Sequence, residues 1–302
     1  ATYIYAASSG DEAGISAFRL GSSGQLNHVG SLQVEDGLWV NNITRLDAVE
    51  AGGQTYLLVA AAGSGSLSVV RIGEAGAMNV VDHMLDDLDT RFANIAVIET
   101  LAVGDRTYIA VSGGDDGVSL LGLLPNGQLL HYESVADTEE LGLGSISALS
   151  LSEQDGRIHL IASSESEPGL THIVYDPGEG VQRAGTGGND TISGSGGEDI
   201  LLDGAGSDHL TGGAGADLFI MAEDGQMDRI MDFQVGLDRV DLSAWTGLYS
   251  TLQIAVVSRS DGAEVRYGDE RLILRSHDGA RLEFEDFLAT DILGIARLIP
   301  IG

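Results

Sequence analysis

Residues 185–220 repeat a nine-residue pattern four times, and this repeat constrains the fold more than any other feature of the chain. The nonamers read GTGGNDTIS, GSGGEDILL, DGAGSDHLT and GGAGADLFI. Position four is always glycine, position six always aspartate and position eight always large and apolar. The members of these columns are Gly188, Gly197, Gly206 and Gly215; Asp190, Asp199, Asp208 and Asp217; Ile192, Leu201, Leu210 and Phe219. A flexible linker has no reason to keep three columns in register, so the tract is predicted to be ordered.

Each nonamer is expected to form a tight turn followed by a short strand, with one apolar side chain in a narrow core. Such a core alone is too thin to offset the entropy of ordering so many glycines. Glycine lets backbone carbonyls approach one another, and aspartate adds a carboxylate. Together they form an oxygen shell suited to Ca²⁺, which accepts roughly six to eight oxygen ligands at flexible angles. Nonapeptide repeats of this type form calcium-binding parallel β-helices.

The nonamers resemble the repeat G-G-x-G-x-D-x-U-x, with U large and apolar, of the haemolysin-type RTX family. Its members are bacterial proteins secreted by a type I system. In that family, successive turns alternate between the two edges of a parallel β-roll, and each calcium ion lies between turns two nonamers apart. The resemblance implies that Asp190 and Asp208 share one edge, and that Asp199 and Asp217 share the other. The implied glycine ligands, through their carbonyls, are Gly187, Gly188, Gly196, Gly197, Gly204, Gly206, Gly213 and Gly215.

Three residues depart from the RTX pattern. Thr186 and Ser195 replace the glycine at position two, and Asp203 replaces the glycine at position one of the third nonamer. The first two turns are therefore expected to be looser than the later ones.

The segment after the tract, LFIMAEDGQMDRIMDFQVGLDRVDLSAW, is similar to the one that follows the repeats in RTX proteases of the serralysin type. There, an aspartate in D-x-I-x-D-F supports the last calcium turn. Asp228 and Asp232 match the two acids of this motif, and the resemblance implies that Asp228 is a ligand. Asp232, Asp238 and Asp241 are expected to be solvated turn residues.

Residues 1–178 contain a second repeat, of about fifty residues. One recurring run reads TYIYAAS, TYLLVAA, TYIAVSG and IHLIASS, and another reads NITRLDAV, NIAVIETL and SISALSLS. Short apolar runs separated by Gly, Asn, Asp or Ser are typical of strands. Four strands per repeat of this length predict β-propeller blades. The first repeat lacks its innermost strand and the last its outer strand, and an open stack of β-meanders is the alternative to a ring.

The predicted fold class is all-β, in three segments. Residues 1–183 form the propeller-like repeats, residues 184–220 the calcium-binding parallel β-roll, and residues 221–302 a small β-rich cap. By resemblance to RTX proteins, the cap carries an uncleaved C-terminal signal for type I secretion.

The formal net charge of −31 disfavours nucleic acid and anionic lipid as partners and favours cations. The chain has no cysteine and no apolar run long enough to predict a membrane span. The motifs H-E-x-x-H and G-x-S-x-G and a Walker A loop are absent, and no two of the seven histidines have a metal-ligand spacing. The innermost strands of the repeats supply few acids, Asp47 and Glu99, which argues against catalysis.

These observations predict a calcium-binding RTX protein that is secreted to the extracellular space or the cell surface. Its propeller-like domain would be a non-enzymatic module for binding, adhesion or extracellular assembly. The partner would be a glycan, a surface polymer, another protein or a second copy of the chain. The alternatives are a propeller-type hydrolase or lactonase exported by an RTX tail, and a piece of a longer repetitive adhesin.

Overall fold

The computed structural model describes residues 1–10 and 13–286 and divides into two compact units, Ala1–Asp176 and Pro177–Gly302. The all-β prediction is confirmed. The helices of the described residues are four single 3-10 turns: Val34–Asp36, Glu74–Gly76, Thr251–Gln253 and Phe284–Asp286. No helix in the described part of the chain has the length and apolar character of a membrane span. The predicted three-segment division stays a prediction, and the final residues of the predicted secretion signal lie outside the described residues.

The described part of the first unit contains four antiparallel sheets, with three, four, four and three strands. The first is β1 (Thr2–Ser8), β2 (Gly14–Leu20) and β3 (Leu26–Leu32). The second is β4 (Ile43–Ala51), β5 (Gln54–Ala61), β6 (Ser66–Ile72) and β7 (Met78–Leu85). The third is β8 (Val97–Val103), β9 (Arg106–Ser112), β10 (Gly117–Leu123) and β11 (Leu129–Ala136), and the fourth is β12 (Ile146–Gln154), β13 (Arg157–Ser164) and β14 (Leu170–Tyr175). The two incomplete sheets are the ones that the sequence repeat predicted.

The repeat sets the same backbone geometry before each first strand of the second, third and fourth sheets. Asn42, Asn94 and Ser145 precede these strands with φ of 55°, 52° and 50°, in the left-handed region that asparagine tolerates well. The first strands of neighbouring sheets then contact one another, β4 with β8 and β8 with β12. Thr44 Oγ1 donates to the Ile95 carbonyl at 2.7 Å across one of these junctions. This succession of antiparallel sheets agrees with the predicted repeats, and their arrangement as propeller blades in a ring stays a prediction.

The second unit contains two stacks of short parallel strands. One sheet joins β15 (Gln182–Ala184), β17 (Ile200–Leu202), β19 (Leu218–Ile220) and β21 (Arg239–Asp241). The other joins β16 (Thr191–Ser193), β18 (His209–Thr211) and β20 (Met227–Phe233), and continues into β24 (Glu270–Ser276), β23 (Gly262–Tyr267) and β22 (Ala255–Arg259). Strands of alternate nonamers therefore pair in parallel, as a β-roll requires.

The core of the roll is the apolar column of the nonamers. Ile192 lies opposite Leu210 in one sheet, and Leu201 lies opposite Phe219 in the other. All four side chains are buried in a single cluster.

Candidate metal centre

Aspartates of alternate nonamers form a ladder along the first edge of the roll, which comprises turns 185–190, 203–208 and 221–228. The Asp190 amide donates to Asp208 Oδ1 at 2.6 Å, and the Asp208 amide donates to Asp228 Oδ1 at 2.8 Å. Asp208 and Asp228 are buried, with 0% and 5% of their surface exposed. The edge that the sequence predicted for Asp190 and Asp208 therefore exists, and it continues to Asp228.

The second edge, which comprises turns 194–199, 212–217 and 232–238, repeats the ladder. The Asp199 amide donates to Asp217 Oδ1 at 3.0 Å, and the Asp217 amide donates to Asp238 Oδ1 at 3.1 Å. All three aspartates are 1% exposed. The alternation of the nonamers between two edges is thus confirmed by the hydrogen bonds as well as by the strand pairing.

The prediction of a solvated Asp238 is wrong. Asp238 is buried and ends the second ladder, and Asp232 beside it accepts hydrogen bonds from the amides of Gly212 and Gly213, both at 2.9 Å. Asp241 is half-buried and accepts from the Ser243 amide at 2.8 Å. Asp238 lies 21 residues after its ladder partner rather than 18, because the connection after the last nonamer is longer. The nonamer spacing therefore could not identify it.

Glycine is required where the turns stack. Gly204, Gly206, Gly213 and Gly215 have φ between 91° and 126°, and a Cβ added to any of them would overlap the backbone of the turn 18 residues earlier. Gly187, Gly188 and Gly196 lie in the first turns, and a Cβ added to these would meet nothing within 4 Å. Gly197 packs against the backbone of Gly180. These are the eight glycines predicted as carbonyl ligands; they line the two edges, and their role as ligands stays a prediction.

The two replacements at position two supply hydrogen bonds. Ser195 donates to Asp199 Oδ2 from its amide at 2.6 Å and to Asp199 Oδ1 from its hydroxyl at 2.8 Å. The amide and hydroxyl of Thr186 both donate to Asp190 Oδ2. The carboxylates of the first turn on each edge therefore have protein donors.

The later turns leave carboxylate oxygens without partners. Asp208 Oδ2 and Asp217 Oδ2 are buried and accept no hydrogen bond. Burial raises the pKa of Asp208, and it raises the pKa of Asp217 to about 6, with Asp238 and Asp199 adding to the effect. A buried carboxylate without a donor or counter-charge is unfavourable. Calcium, a hard cation that prefers oxygen ligands, fits this donor set.

The first edge also contains Asp203, an acid at a position where the RTX repeat has glycine. Asp203, Asp208 and Asp228 each place a carboxylate oxygen within 4.8 Å of the others, and all three are buried. Burial raises the pKa of Asp203 to about 8 and that of Asp228 to about 6, with a contribution from the neighbouring carboxylates. In the sequence, the only indication of this residue is that position one is aspartate in the third nonamer and glycine in the other three.

The first unit brings together two histidines that are thirteen residues apart in sequence. His159 on β13 and His172 on β14 stack with ring centroids 5.1 Å apart, and their ring nitrogens are 2.9 Å apart. The strand register places His172 opposite Ile161 and so next to His159 diagonally across the sheet. Spacing along the chain could not reveal this pair.

Three solved structures resemble parts of the chain at low identity. A protein from Lactobacillus plantarum is 16% identical, with a TM-score of 0.39, over 59% of this chain and 55% of its own length. An engineered GH43 glycoside hydrolase is 14% identical, with a TM-score of 0.30, over 57% of this chain and 34% of its own. A subunit of the mannuronan C5-epimerase of Azotobacter vinelandii is 25% identical, with a TM-score of 0.17, over 40% of this chain and 82% of its own length. This chain thus spans little more than half of the first of these proteins, and no curated protein matches its sequence.

A family model describes the tract that carries the ladders. The model of the RTX calcium-binding nonapeptide repeat matches residues 184–219, with four copies. The match coincides with the parallel strands, the stacked glycines and the buried aspartates described above. Residues 184–219 of this chain are therefore RTX calcium-binding nonapeptide repeats.

Proposed function

We propose that this chain is a secreted calcium-binding protein whose β-roll becomes stable when calcium binds. The observation that carries the proposal is the pair of buried, unpartnered oxygens, Asp208 Oδ2 and Asp217 Oδ2, one on each edge of the roll. Each lies in a ladder of carboxylates whose mutual repulsion a bound cation would relieve. The proposed ligands are Asp190, Asp199, Asp208, Asp217 and Asp228, with the carbonyls of the eight glycines that line the two edges.

Calcium binding and folding of the roll should be one event. The ligands come from turns 18 residues apart and meet only when the turns have stacked, so calcium that binds the folded state stabilises it. Extracellular calcium modules bind at roughly 10⁻⁴–10⁻³ M. Free calcium in the cytosol is far lower, and the roll would therefore remain unfolded until the chain is outside the cell.

Secretion is proposed on the same ground. RTX repeat proteins are typically secreted. A chain that is unfolded before export suits passage through a type I channel, and the formal net charge of −31 disfavours folding until cations are supplied. Within the predicted cap, β22 to β24 extend one sheet of the roll.

The direct test is calcium removal from the full chain. Circular dichroism and differential scanning calorimetry would be recorded in excess calcium, in a chelator, and in magnesium at the same concentration. We expect calcium to add β-sheet signal and a cooperative transition that magnesium does not restore, because Mg²⁺ demands a near-ideal octahedral shell. An unchanged spectrum and an unchanged thermal midpoint in the chelator would contradict the proposal.

For the first unit, we propose a non-enzymatic module that binds a glycan, a surface polymer or another protein. The supporting observation is Trp39, whose surface is 56% exposed and whose ring packs edge-on against His83 with centroids 6.3 Å apart. An exposed aromatic ring that a neighbouring side chain holds in place is typical of recognition surfaces. The innermost strands β4, β8 and β12 contain four acids, Asp47, Glu50, Glu99 and Glu153, and no histidine. This small supply of catalytic groups supports binding over the alternative of a propeller-type hydrolase or lactonase.

A glycan microarray probed with the calcium-loaded full chain tests this second proposal, with Trp39→Ala as the matched variant. Binding that the variant weakens would support it. Turnover of lactone or ester substrates by the wild-type chain would instead favour the hydrolase.

A further inference from the structure

Position one of each nonamer lies beside the carboxylate at position six of the same nonamer. A side chain added to Gly194 would overlap Asp199 Oδ2, and one added to Gly212 would overlap Asp217 Oδ2. Only the third of the four nonamers has a side chain at this position, and that side chain is the carboxyl group of Asp203. The third turn thus places an additional carboxylate where its sister turns have only the carboxylate of position six.

Asp203 is held in this place by the neighbouring turn. Its amide donates to the Ile220 carbonyl at 3.2 Å, and its Oδ1 accepts a hydrogen bond from the Ala222 amide at 2.8 Å. Its surface is 2% exposed. The carboxyl group therefore has one fixed orientation inside the roll, within 4.8 Å of oxygens from Asp208 and Asp228.

Asp208 provides the independent indication of a ligand. It is fully buried, its Oδ1 accepts from the Asp190 amide at 2.6 Å, and its Oδ2 has no hydrogen-bond partner. Three buried carboxylates repel one another strongly at this distance. A cation in their midst would both balance the charge and supply the missing partner of Asp208 Oδ2.

We propose that Asp203 is the third carboxylate ligand of a cation site that it shares with Asp208 and Asp228, and that this site binds calcium more tightly than the other sites of the roll. The inference rests on the proposed calcium binding of the β-roll. On the second edge, the corresponding position-one residues are Gly194 and Gly212, and among the described residues no three carboxylates of that edge come equally close to one another. The number of charged ligands is one of the quantities that set calcium affinity over orders of magnitude. Three carboxylates also match the charge of a trivalent lanthanide ion, so the site should accept Tb³⁺ readily.

The second unit contains its own reporter for this site. The buried Trp245 donates from Nε1 to the Ala222 carbonyl at 3.0 Å, and the Ala222 amide donates to Asp203 Oδ1 at 2.8 Å. This proximity should allow Trp245 to transfer excitation energy to a Tb³⁺ ion bound beside Asp203. A change in tryptophan-sensitised Tb³⁺ emission between the wild type and the Asp203 variants therefore reports the contribution of Asp203 to binding.

The experiment titrates the full chain with Tb³⁺ while exciting tryptophan, and titrates calcium by isothermal calorimetry. The variants are Asp203→Asn, which keeps the shape of the side chain, and Asp203→Gly, which installs the residue of the three sister nonamers. Glu198→Gln is the control, since it removes one exposed acid from the opposite edge. Trp245→Phe shows how much of the emission arises from this tryptophan.

We expect both Asp203 variants to shift the tightest calcium step and the Tb³⁺ midpoint by about tenfold or more, because each removes one charged ligand of three. Glu198→Gln should leave both unchanged. Wild-type affinities in both Asp203 variants, with calcium still stabilising the chain, would overturn the role of Asp203 while leaving the proposed function intact. A wild-type chain that binds neither ion would overturn both.

Discussion

The hydroxyl of Thr186 donates to Asp190 Oδ2 at 2.9 Å, and the amide of Thr186 donates to the same oxygen at 2.7 Å. These hydrogen bonds lower the pKa of Asp190, whereas burial raises the pKa of Asp208 on the next turn of the same edge. The first turn has no turn before it to stack on, and its carboxylate is stabilised by protein donors. On this edge, a carboxylate with protein donors at the start of the roll is thus followed by one whose Oδ2 has no hydrogen-bond partner.

The stacked glycines make a prediction that needs no knowledge of the ion. Gly215→Ala should destabilise the roll by about 1–3 kcal/mol or more, because its φ of 114° strains any L residue and its Cβ would overlap the Gly197 carbonyl. Gly187→Ala is the control, since an added Cβ there meets nothing within 4 Å. Urea unfolding in excess calcium measures both. Equal stability of the two variants would contradict the close stacking of the turns.

Asp217→Asn separates the charge of the ladder from its hydrogen bond. Asparagine keeps an oxygen for the Asp199 amide but removes the negative charge that Asp217 Oδ2 offers to a cation. The rise in thermal midpoint on adding calcium should therefore shrink. Asp241→Asn is the control, because Asp241 accepts from the Ser243 amide at the end of a strand and is only half-buried. Differential scanning calorimetry with and without calcium measures this rise. An Asp217→Asn variant with the same rise as the wild type would show that Asp217 is not a ligand.

Glu264 gives the cap a pH-dependent contribution to stability. Its Oε1 accepts from Arg266 at 2.9 Å and from Arg271 at 2.6 Å, and these hydrogen bonds lower its pKa to about 2 from an ordinary 4.5. A lowered pKa means that the stabilisation is fully present above the unfolded value of 4.5 and is lost as the pH falls through about 2. The difference in unfolding free energy between the wild type and Glu264→Gln should therefore shrink across that window. Urea titrations at a series of pH values test this, and a difference independent of pH would exclude the ion pairs as its source.

Asp82 joins the second and third sheets of the first unit. It lies on β7, and its Oδ2 accepts from the amide of Leu129 on β11 at 2.6 Å, both residues being buried. Asp82→Ala should cost about 1–3 kcal/mol, since it removes a buried hydrogen bond between the two sheets. Asp82→Asn keeps an acceptor oxygen and should cost less. Denaturant unfolding in excess calcium measures the pair; an alanine variant as stable as the wild type would show that the two sheets do not depend on this bond.

The parts of the fold that the sequence predicted are those fixed by local, repeated chemistry. The glycine and aspartate columns predicted repeated turns and short strands, because each nonamer has the same backbone requirement, and the resemblance to RTX proteins implied their alternation between two edges. The repeats of the first unit predicted which sheets lack a strand. In both cases, a residue's place within its sequence repeat was enough to predict the strand or turn in which it lies.

The site residues that the nonamer spacing does not identify depend on contacts outside the register of the repeats. Asp228 and Asp238 lie 20 and 21 residues after their ladder partners, since the connections after the last nonamer are longer than a nonamer turn. Only the resemblance to RTX proteins indicated Asp228, and nothing indicated Asp238. Asp203 was visible as a departure from glycine, but its approach to Asp208 and Asp228 results from the stacking of three separate turns.

The aspartate ladders have a polarity. On both edges, the amide of each aspartate donates to the carboxylate of the turn that follows it in the chain, and never to the turn before. Shortening the roll from its front would expose carboxylates, which water can solvate. Shortening it from its back would strand buried amides of the preceding turn. Asp228 and Asp238 therefore supply the last acceptor of each ladder, and both stacks of turns depend on them although they lie outside the repeats.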